Sequence, residues 1–207
     1  MYKIISSGSD GNAVLYFDNI LVDCGVPYSL LSDYVSRLSI VLLTHVHGDH
    51  LNLSTIQRLS FERPSLRFGC GAHLVGVIKD VVKNVDVYDV GTYYNYGSFK
   101  VCPVLLYHDV LNFGYRIIKG EKKVFHATDT STLEGISAKG YDVYSLEANY
   151  DEDRVFDVIR EKEMYGGYAH QRGAMNSHLS IQQAQNFVLQ NAGRDYKFLC
   201  LHQSKEF

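Results

Sequence analysis

Ile40-Val41-Leu42-Leu43-Thr44-His45-Val46-His47-Gly48-Asp49-His50 joins an apolar run to three histidines and one aspartate. Ser39–Leu43 reads as a buried β-strand, because it is short, apolar and rich in β-branched and leucine side chains. A strand end holds the first histidine rigidly. His45 and His47 are two positions apart, so in extended backbone they point the same way. Gly48 permits a sharp turn that a β-carbon resists, which turns Asp49 and His50 toward a neighbouring point in space. Imidazoles with a carboxylate suit zinc, and iron or manganese at similar sites. The spacing suits two adjacent metals better than one.

Working outward, Tyr2–Ser6, Ala13–Phe17 and Ile20–Asp23 read as short strands, with Asp10-Gly11 as a hairpin signal between the first two. Leu30, Leu31, Tyr34, Val35 and Leu38 follow a 3.6 period and predict a helix over 28–38. Helices are also expected over 52–60 and 73–83, with a strand at Phe68–Cys70 between them. The middle is β-rich: Val85–Val90, Tyr93–Tyr107, Phe113–Ile118, Lys122–Ala127 and Val143–Leu146. Asp151-Glu152-Asp153 opens an acidic helix to about 163, its charges suited to the positive end of the helix dipole. Ser180 with Gln183 forms a capping-box signature for a helix to Ala192, with Gly193 as its stop, and Lys197–Leu201 closes the pattern as a strand. Strands in hairpins interleaved with helices imply two sheets covered by helices in one domain, 1–207.

At 207 residues and 46% hydrophobic content, the chain has room for one substantial core. No apolar run approaches the roughly 20 residues of a spanning helix, and the N-terminus lacks the pattern of a signal peptide. Four dispersed cysteines, Cys24, Cys70, Cys102 and Cys200, form no C-x-x-C, so a reduced, cytoplasmic protein without a membrane is expected. A net charge of −3 argues against a broad basic sheath for nucleic acid.

His45-x-His47-x-Asp49-His50 resembles the signature of the metallo-β-lactamase fold superfamily. The resemblance extends along nearly the whole chain. Leu21-Val22-Asp23-Cys24-Gly25 is similar to the family's first motif, in which the Asp supports the metal loop without ligating. His108, Asp129 and His202, each after a strand, match the later motifs. The resemblance implies an α/β fold, a four-layer αββα sandwich of two mixed β-sheets flanked by helices. It implies His45, His47 and His108 on one divalent metal, Asp49, His50 and His202 on a second, and Asp129 shared. Zinc is favoured, with manganese or iron open. Two such ions about 3.5–4 Å apart lower the pKa of a bridging water toward about 7, which makes hydrolysis the expected reaction.

Three features bear on the bond cleaved. The fourth motif carries Asp129, not the cysteine of the commonest zinc β-lactamases. Leu146-Glu147-Ala148-Asn149-Tyr150 resembles the glutamate segment of transfer-RNA 3′-processing phosphodiesterases. Asn176-Ser177-His178-Leu179-Ser180 lies where phosphodiesterase branches place a non-ligand histidine. Glu147 bonded to His178 would favour the protonated imidazole, which donates to a phosphoryl oxygen or a departing alkoxide. The free amides of the helix start after His178 would attract an anion. Asp49, His178 and Glu147 are thus the expected catalytic residues.

Ser6–Asn12 resembles the WalJ-like and phosphonate-pathway phosphodiesterase branches. The segment reads equally well as a substrate entrance or as a tight hairpin. His73, His126 and His170 match no ligand position and read as structural. Tyr93–Tyr96 reads as strand or turn packing before base stacking. Arg172 and His170, in the Gly166–Gly173 stretch, are within reach of a role at the substrate. The expected partner is a phosphodiester, either a nucleic acid or a smaller, even cyclic, nucleotide. Compactness and acidity favour the small end, and a homodimer is within what the resemblance implies. The alternatives are a thioester or lactone hydrolase of the same fold, and a metal-binding module without turnover.

Overall fold

The computed structural model describes residues 1–165 and 171–204. Among these residues the chain forms two mixed six-stranded sheets with helices. It divides into two compact units, Met1–Thr92 and Tyr93–Phe207, each with one of the sheets.

In the first unit β1 (Tyr2–Ser6), β2 (Ala13–Tyr16) and β3 (Ile20–Val22) form an antiparallel meander. β4 (Ile40–Leu42), β5 (Arg67–Gly71) and β6 (Val85–Tyr88) then add in parallel to β3. β3 and β4 are buried along their whole length, as expected of parallel strands covered on both faces. α1 (Leu53–Glu62) starts where the Asn52 side chain accepts from Thr55 N, a cap worth about 1 kcal/mol. It buries Ile56 and Leu59 in the unit's core, which also takes Leu21, Val41, Leu43 and Phe68. α2 (Ala72–Ile78) follows β5 directly and packs Leu74 and Ile78 into the same cluster.

In the second unit the order is β12 (Lys197–Leu201), β11 (Val143–Glu147), β10 (Lys122–Ala127), β9 (Leu111–Lys119), β8 (Lys100–Tyr107) and β7 (Tyr94–Asn95). β7 to β10 are antiparallel neighbours, whereas β10, β11 and β12 run parallel. Pro103 is tolerated within β8 because β7 pairs only with Lys100 and Val101, leaving that edge open further along. α3 (Glu152–Met164) is capped by Asp151 and buries Val155 and Ile159. A short α4 (Gln171–Ser177) precedes α5 (Ile181–Asn191), whose capping box between Ser180 and Gln183 is complete. Ala184, Phe187 and Val188 of α5 pack with Phe125, Tyr144 and Leu146 of the sheet.

Several local expectations change. The 3.6 period over 28–38 resolves as two 3-10 turns, Tyr28–Leu30 and Val35–Arg37. Ser29, Ser32, Asp33 and Ser36 offer the backbone competing hydrogen bonds, and Ser32 Oγ donates to the Ser29 carbonyl. Leu31, Val35 and Leu38 still reach the core, so the period reported burial without a helix. The expected helix 73–83 ends at Ile78, where Val81 N and Val82 N both bond the Ile78 carbonyl in a turn. Asp10-Gly11 does not make a two-residue hairpin: six residues, 7–12, join β1 to β2. Gly193 is not the stop of α5, whose cap is Ala192 in extended backbone. Of the 166–173 stretch, residues 166–170, His170 among them, lie outside the described residues, and 171–177 are helical. Cys24, Cys70 and Cys102 are buried thiols and Cys200 is an exposed one. Among the described residues no helix is long and apolar enough to cross a membrane.

Candidate metal centre

In the first unit the candidate side chains leave the carboxyl ends of adjacent strands, where sheets of this kind gather ligands. Asp23 directly follows β3, the histidine loop follows β4, and residues 7–12 follow β1, which runs in the same direction as β3. Asp23 turns off its strand at φ 58°, in the left-handed region that costs a non-glycine residue about 1–2 kcal/mol. Its carboxylate explains why the position is held. Oδ1 accepts from Thr44 N at 2.9 Å, and Oδ2 accepts from Thr44 Oγ1 at 2.9 Å and from His50 Nδ1 at 2.7 Å. Burial pushes the Asp23 pKa up, and the His50 and Thr44 contacts oppose that rise. The supporting role that the resemblance gave Asp23 agrees with these bonds.

These bonds set the proton positions on both buried histidines. His50 Nδ1 donates to Asp23, so Nε2 carries the lone pair. Thr44 Oγ1 gives its one proton to Asp23 and therefore accepts from His45 Nδ1 at 2.9 Å, which leaves the lone pair on His45 Nε2. His45 Nε2 lies 3.1 Å from His47 Nδ1. Two nitrogens each about 2.0–2.1 Å from a tetrahedral zinc stand roughly 3.4 Å apart, so this pair has nearly the bite of a chelate. The His45 ring centroid is 4.8 Å from that of His47 and 4.3 Å from that of His50. Gly25 is required beside this loop, because a Cβ there would lie 1.8 Å from the Asp49 carbonyl oxygen.

In the second unit β8, β10, β11 and β12 all point the same way, and His108, Asp129, Glu147 and His202 sit at or just beyond their carboxyl ends. Asp129 and His202 are left-handed, at φ 55° and 51°. Two buried amides hold these turns. Asn112 Nδ2 donates to the carbonyls of Thr128 and Asp129 at 2.8 and 2.6 Å, and Asn149 Nδ2 donates to the His202 carbonyl at 3.0 Å. One donor atom each from Asp129, Glu147, His178 and His202 gathers within 4.8 Å. His202 Nε2 is 3.4 Å from Asp129 Oδ1.

Glu147 is fully buried and its oxygens serve the protein: Oε2 accepts from Thr130 N at 3.0 Å and Leu179 N at 3.1 Å, and Oε1 meets His178 Nδ1 at 2.5 Å. Glu147 thus orients His178, and the two residues form a hydrogen-bonded pair. Burial alone would lower the His178 pKa. The Glu147 hydrogen bond and charge, with Asp129 behind them, outweigh burial and raise it above the ordinary histidine value. The start of α5 departs from expectation. The amides of Leu179, Ser180, Ile181 and Gln183 donate to Glu147, Gln183, Tyr150 and Ser180 respectively, so they are not offered to an anion.

His108 Nδ1 lies 3.2 Å from the Ser177 carbonyl, which assigns its proton to Nδ1, and Nε2 is 3.0 Å from the exposed Asp109. Beside it a cleft of about 610 Å³ is lined by Leu105, Tyr107, Leu111, Asn176 and Ser177. His126 is buried in β10 and His73 sits in α2 with its pKa lowered by burial, as suits structural histidines. Sequence reasoning passed over Asn12, Asn112 and Asn149. The only available signal was a polar amide beside a motif, which does not distinguish a bracket from a loop residue.

The donor set of each unit, imidazole nitrogens together with carboxylate oxygens, fits a divalent metal of the zinc type. The family described as "Beta-lactamase superfamily domain" matches residues 18–195. Among solved structures, the metallo-β-lactamase fold protein YhfI from Bacillus subtilis superposes with a TM-score of 0.74 at 19% identity, over 98% of this chain and 85% of that one. The short form of human tRNase Z gives a TM-score of 0.74 at 18% identity, over 99% and 93%. A diphosphatase from the PhnP family gives 0.66 at 19% identity, over 100% and 87%. No curated protein matches the sequence. The family match spans most of the chain, and the chain belongs to the β-lactamase superfamily and has the metallo-β-lactamase fold.

Proposed function

We propose that the protein is a metal-dependent hydrolase of phosphodiester bonds, acting on a nucleic acid or a smaller nucleotide. His45, His47 and His108 hold one divalent ion in this reading, Asp49, His50 and His202 the other, and Asp129 is shared. Two ions held there supply an activated water and neutralise charge on the phosphoryl oxygens. The observation that carries the phosphodiester reading is the Glu147–His178 pair, whose imidazole is 3.6 Å from Asp129 and is biased toward its charged form. A charged donor beside a metal-ligand set suits a substrate with an anionic centre and a basic leaving oxygen. A thioester or lactone asks less of such a donor. The names of two structural neighbours, a tRNase Z and a diphosphatase, point toward phosphoryl substrates as well. The cleft beside His108, with the exposed rings and side chains of Tyr107 and Leu111, offers an apolar wall for a base or aryl group.

Within this reading each residue has one task. Asp23, through Thr44 and His50, fixes which imidazole nitrogens face outward. Glu147 holds Nδ1 of His178, so Nε2 is the atom that delivers a proton to the leaving oxygen. The protonated form exists below the raised His178 pKa, so kcat/KM falls as pH rises through it. Glu147→Gln removes the charge and weakens the hydrogen bond, which lowers that pKa. The alkaline limb of the profile is expected to move toward lower pH, and a limb at the wild-type position would detach Glu147 from His178.

The reading is tested with metal-defined enzyme on a panel: bis(p-nitrophenyl) phosphate, cyclic mononucleotides, single- and double-stranded nucleic acids, a thioester and a lactone. Turnover of one or more phosphodiesters well above the thioester and lactone is expected. Preference for the thioester or lactone would replace the proposal with a carboxyl-ester-type hydrolase.

A further inference from the structure

The six-residue loop after β1 ends in Asn12, which is 95% buried against the histidine loop. Its amide orientation is fixed, because Oδ1 accepts from Gly8 N at 2.9 Å while Nδ2 donates back to the Gly8 carbonyl at 3.0 Å. That leaves one N–H aimed at the 49–50 turn. Nδ2 lies 3.2 Å from the Asp49 carbonyl, 3.2 Å from Asp49 Oδ2 and 2.8 Å from His50 Nε2. The last two belong to the side chains that ligate in the proposed centre. Nε2 is the lone-pair nitrogen of His50, because Nδ1 donates to Asp23.

From this geometry we infer that Asn12 is a positioning residue that sets Asp49 and His50 as a ligating pair for one of the two metals. The inference rests on the two-metal reading above. Four features make the amide suited to this work. Before metal binds it reaches both side chains from a single atom, so it sets their mutual orientation in advance. It is neutral, so it steadies the Asp49 carboxylate without the positive charge that a lysine would set against a cation. With His50 Nε2 given to a metal, the same N–H retains Asp49 Oδ2 and the Asp49 carbonyl as acceptors. Finally, backbone bonds also hold the loop in place beside the side-chain bonds to Gly8. Asn12 N donates to the Asp49 carbonyl at 2.6 Å, Gly25 N donates to the Asn12 carbonyl at 3.0 Å, and Gly11 at φ 137° allows a close approach to Gly25. Outer partners of this kind typically contribute 10- to 100-fold in metal affinity.

The test is a Zn2+ titration of chelator-stripped protein against a competing chelator, for wild type, Asn12→Ala and Asn12→Asp, with thermal unfolding of each. Wild type is expected to bind two equivalents. Asn12→Ala is expected to weaken one equivalent at least about 10-fold and leave the other within about twofold. Asn12→Asp keeps the acceptor for Gly8 N but replaces the donor with an oxygen facing Asp49. When stripped it should melt below wild type, and Zn2+ should close the gap. Should Asn12→Ala not fold, that Zn2+-dependent gap is the deciding readout. Both equivalents unchanged in Asn12→Ala, both weakened alike, or an Asn12→Asp protein that melts like wild type when stripped would overturn the role given to Asn12. Fewer than two equivalents in the wild type would instead contradict the two-metal reading on which the role rests.

Discussion

Replacing His178 with alanine lowers kcat on a phosphodiester with an alkoxide leaving group about 100- to 10,000-fold, the usual contribution of a positioned general acid. Metal content stays at the wild-type value. Both expectations follow from where the ring is held. Its Nδ1 is committed to Glu147 at 2.5 Å, and in the proposed ligand set, which does not use His178, the other nitrogen is left for substrate. The size of the loss depends on the leaving group. A nitrophenolate departs without a proton, so the variant should retain far more of its rate on bis(p-nitrophenyl) phosphate than on a nucleotide diester. An equal loss on both substrates would make His178 an electrostatic support and not a proton donor. Wild-type rates on both would remove it from the chemistry.

Asp129→Asn has a comparably large effect by a different route. Asparagine tolerates the left-handed backbone observed at φ 55°, and Asn112 bonds the carbonyl of residue 129 and not its side chain, so the turn survives. The variant loses a carboxylate charge that is 98% buried and lies 3.4 Å from His202 Nε2 and 3.6 Å from His178. Bound metal is expected to fall below two ions per chain, and phosphodiester turnover by about three orders of magnitude, the several kcal/mol that metal stabilisation supplies. Full metal content with wild-type turnover would show that Asp129 is not the shared ligand.

The site residues were legible because strand ends are legible. The fully buried strands around Leu21 and Val41 read as apolar runs, and a histidine or aspartate directly after such a run has few places to point. The Glu147–His178 pair was readable from the resemblance to phosphodiesterase segments, and the structure puts one residue at the end of β11 and the other just before α5. What escaped depends on contacts distant in sequence. Asn112 bonds carbonyls 16 and 17 residues away, and Asn149 reaches 53 residues to His202. No local period records such pairs. The left-handed backbone at Asp23, Asp129 and His202 was equally silent, because only tertiary hydrogen bonds make it worth holding there. The 28–38 segment failed in the opposite direction. Its apolar spacing was real, but serines and an aspartate between the apolar positions favour turns over a continuous helix.

Anomalous diffraction at the zinc edge, on crystals of the zinc-loaded protein, bears most directly on the proposal that seven side chains hold two metal ions. Two peaks are predicted, one touching His45, His47 and His108, the other Asp49, His50 and His202, with Asp129 on both. A single peak, or peaks ligated by other residues, would contradict it.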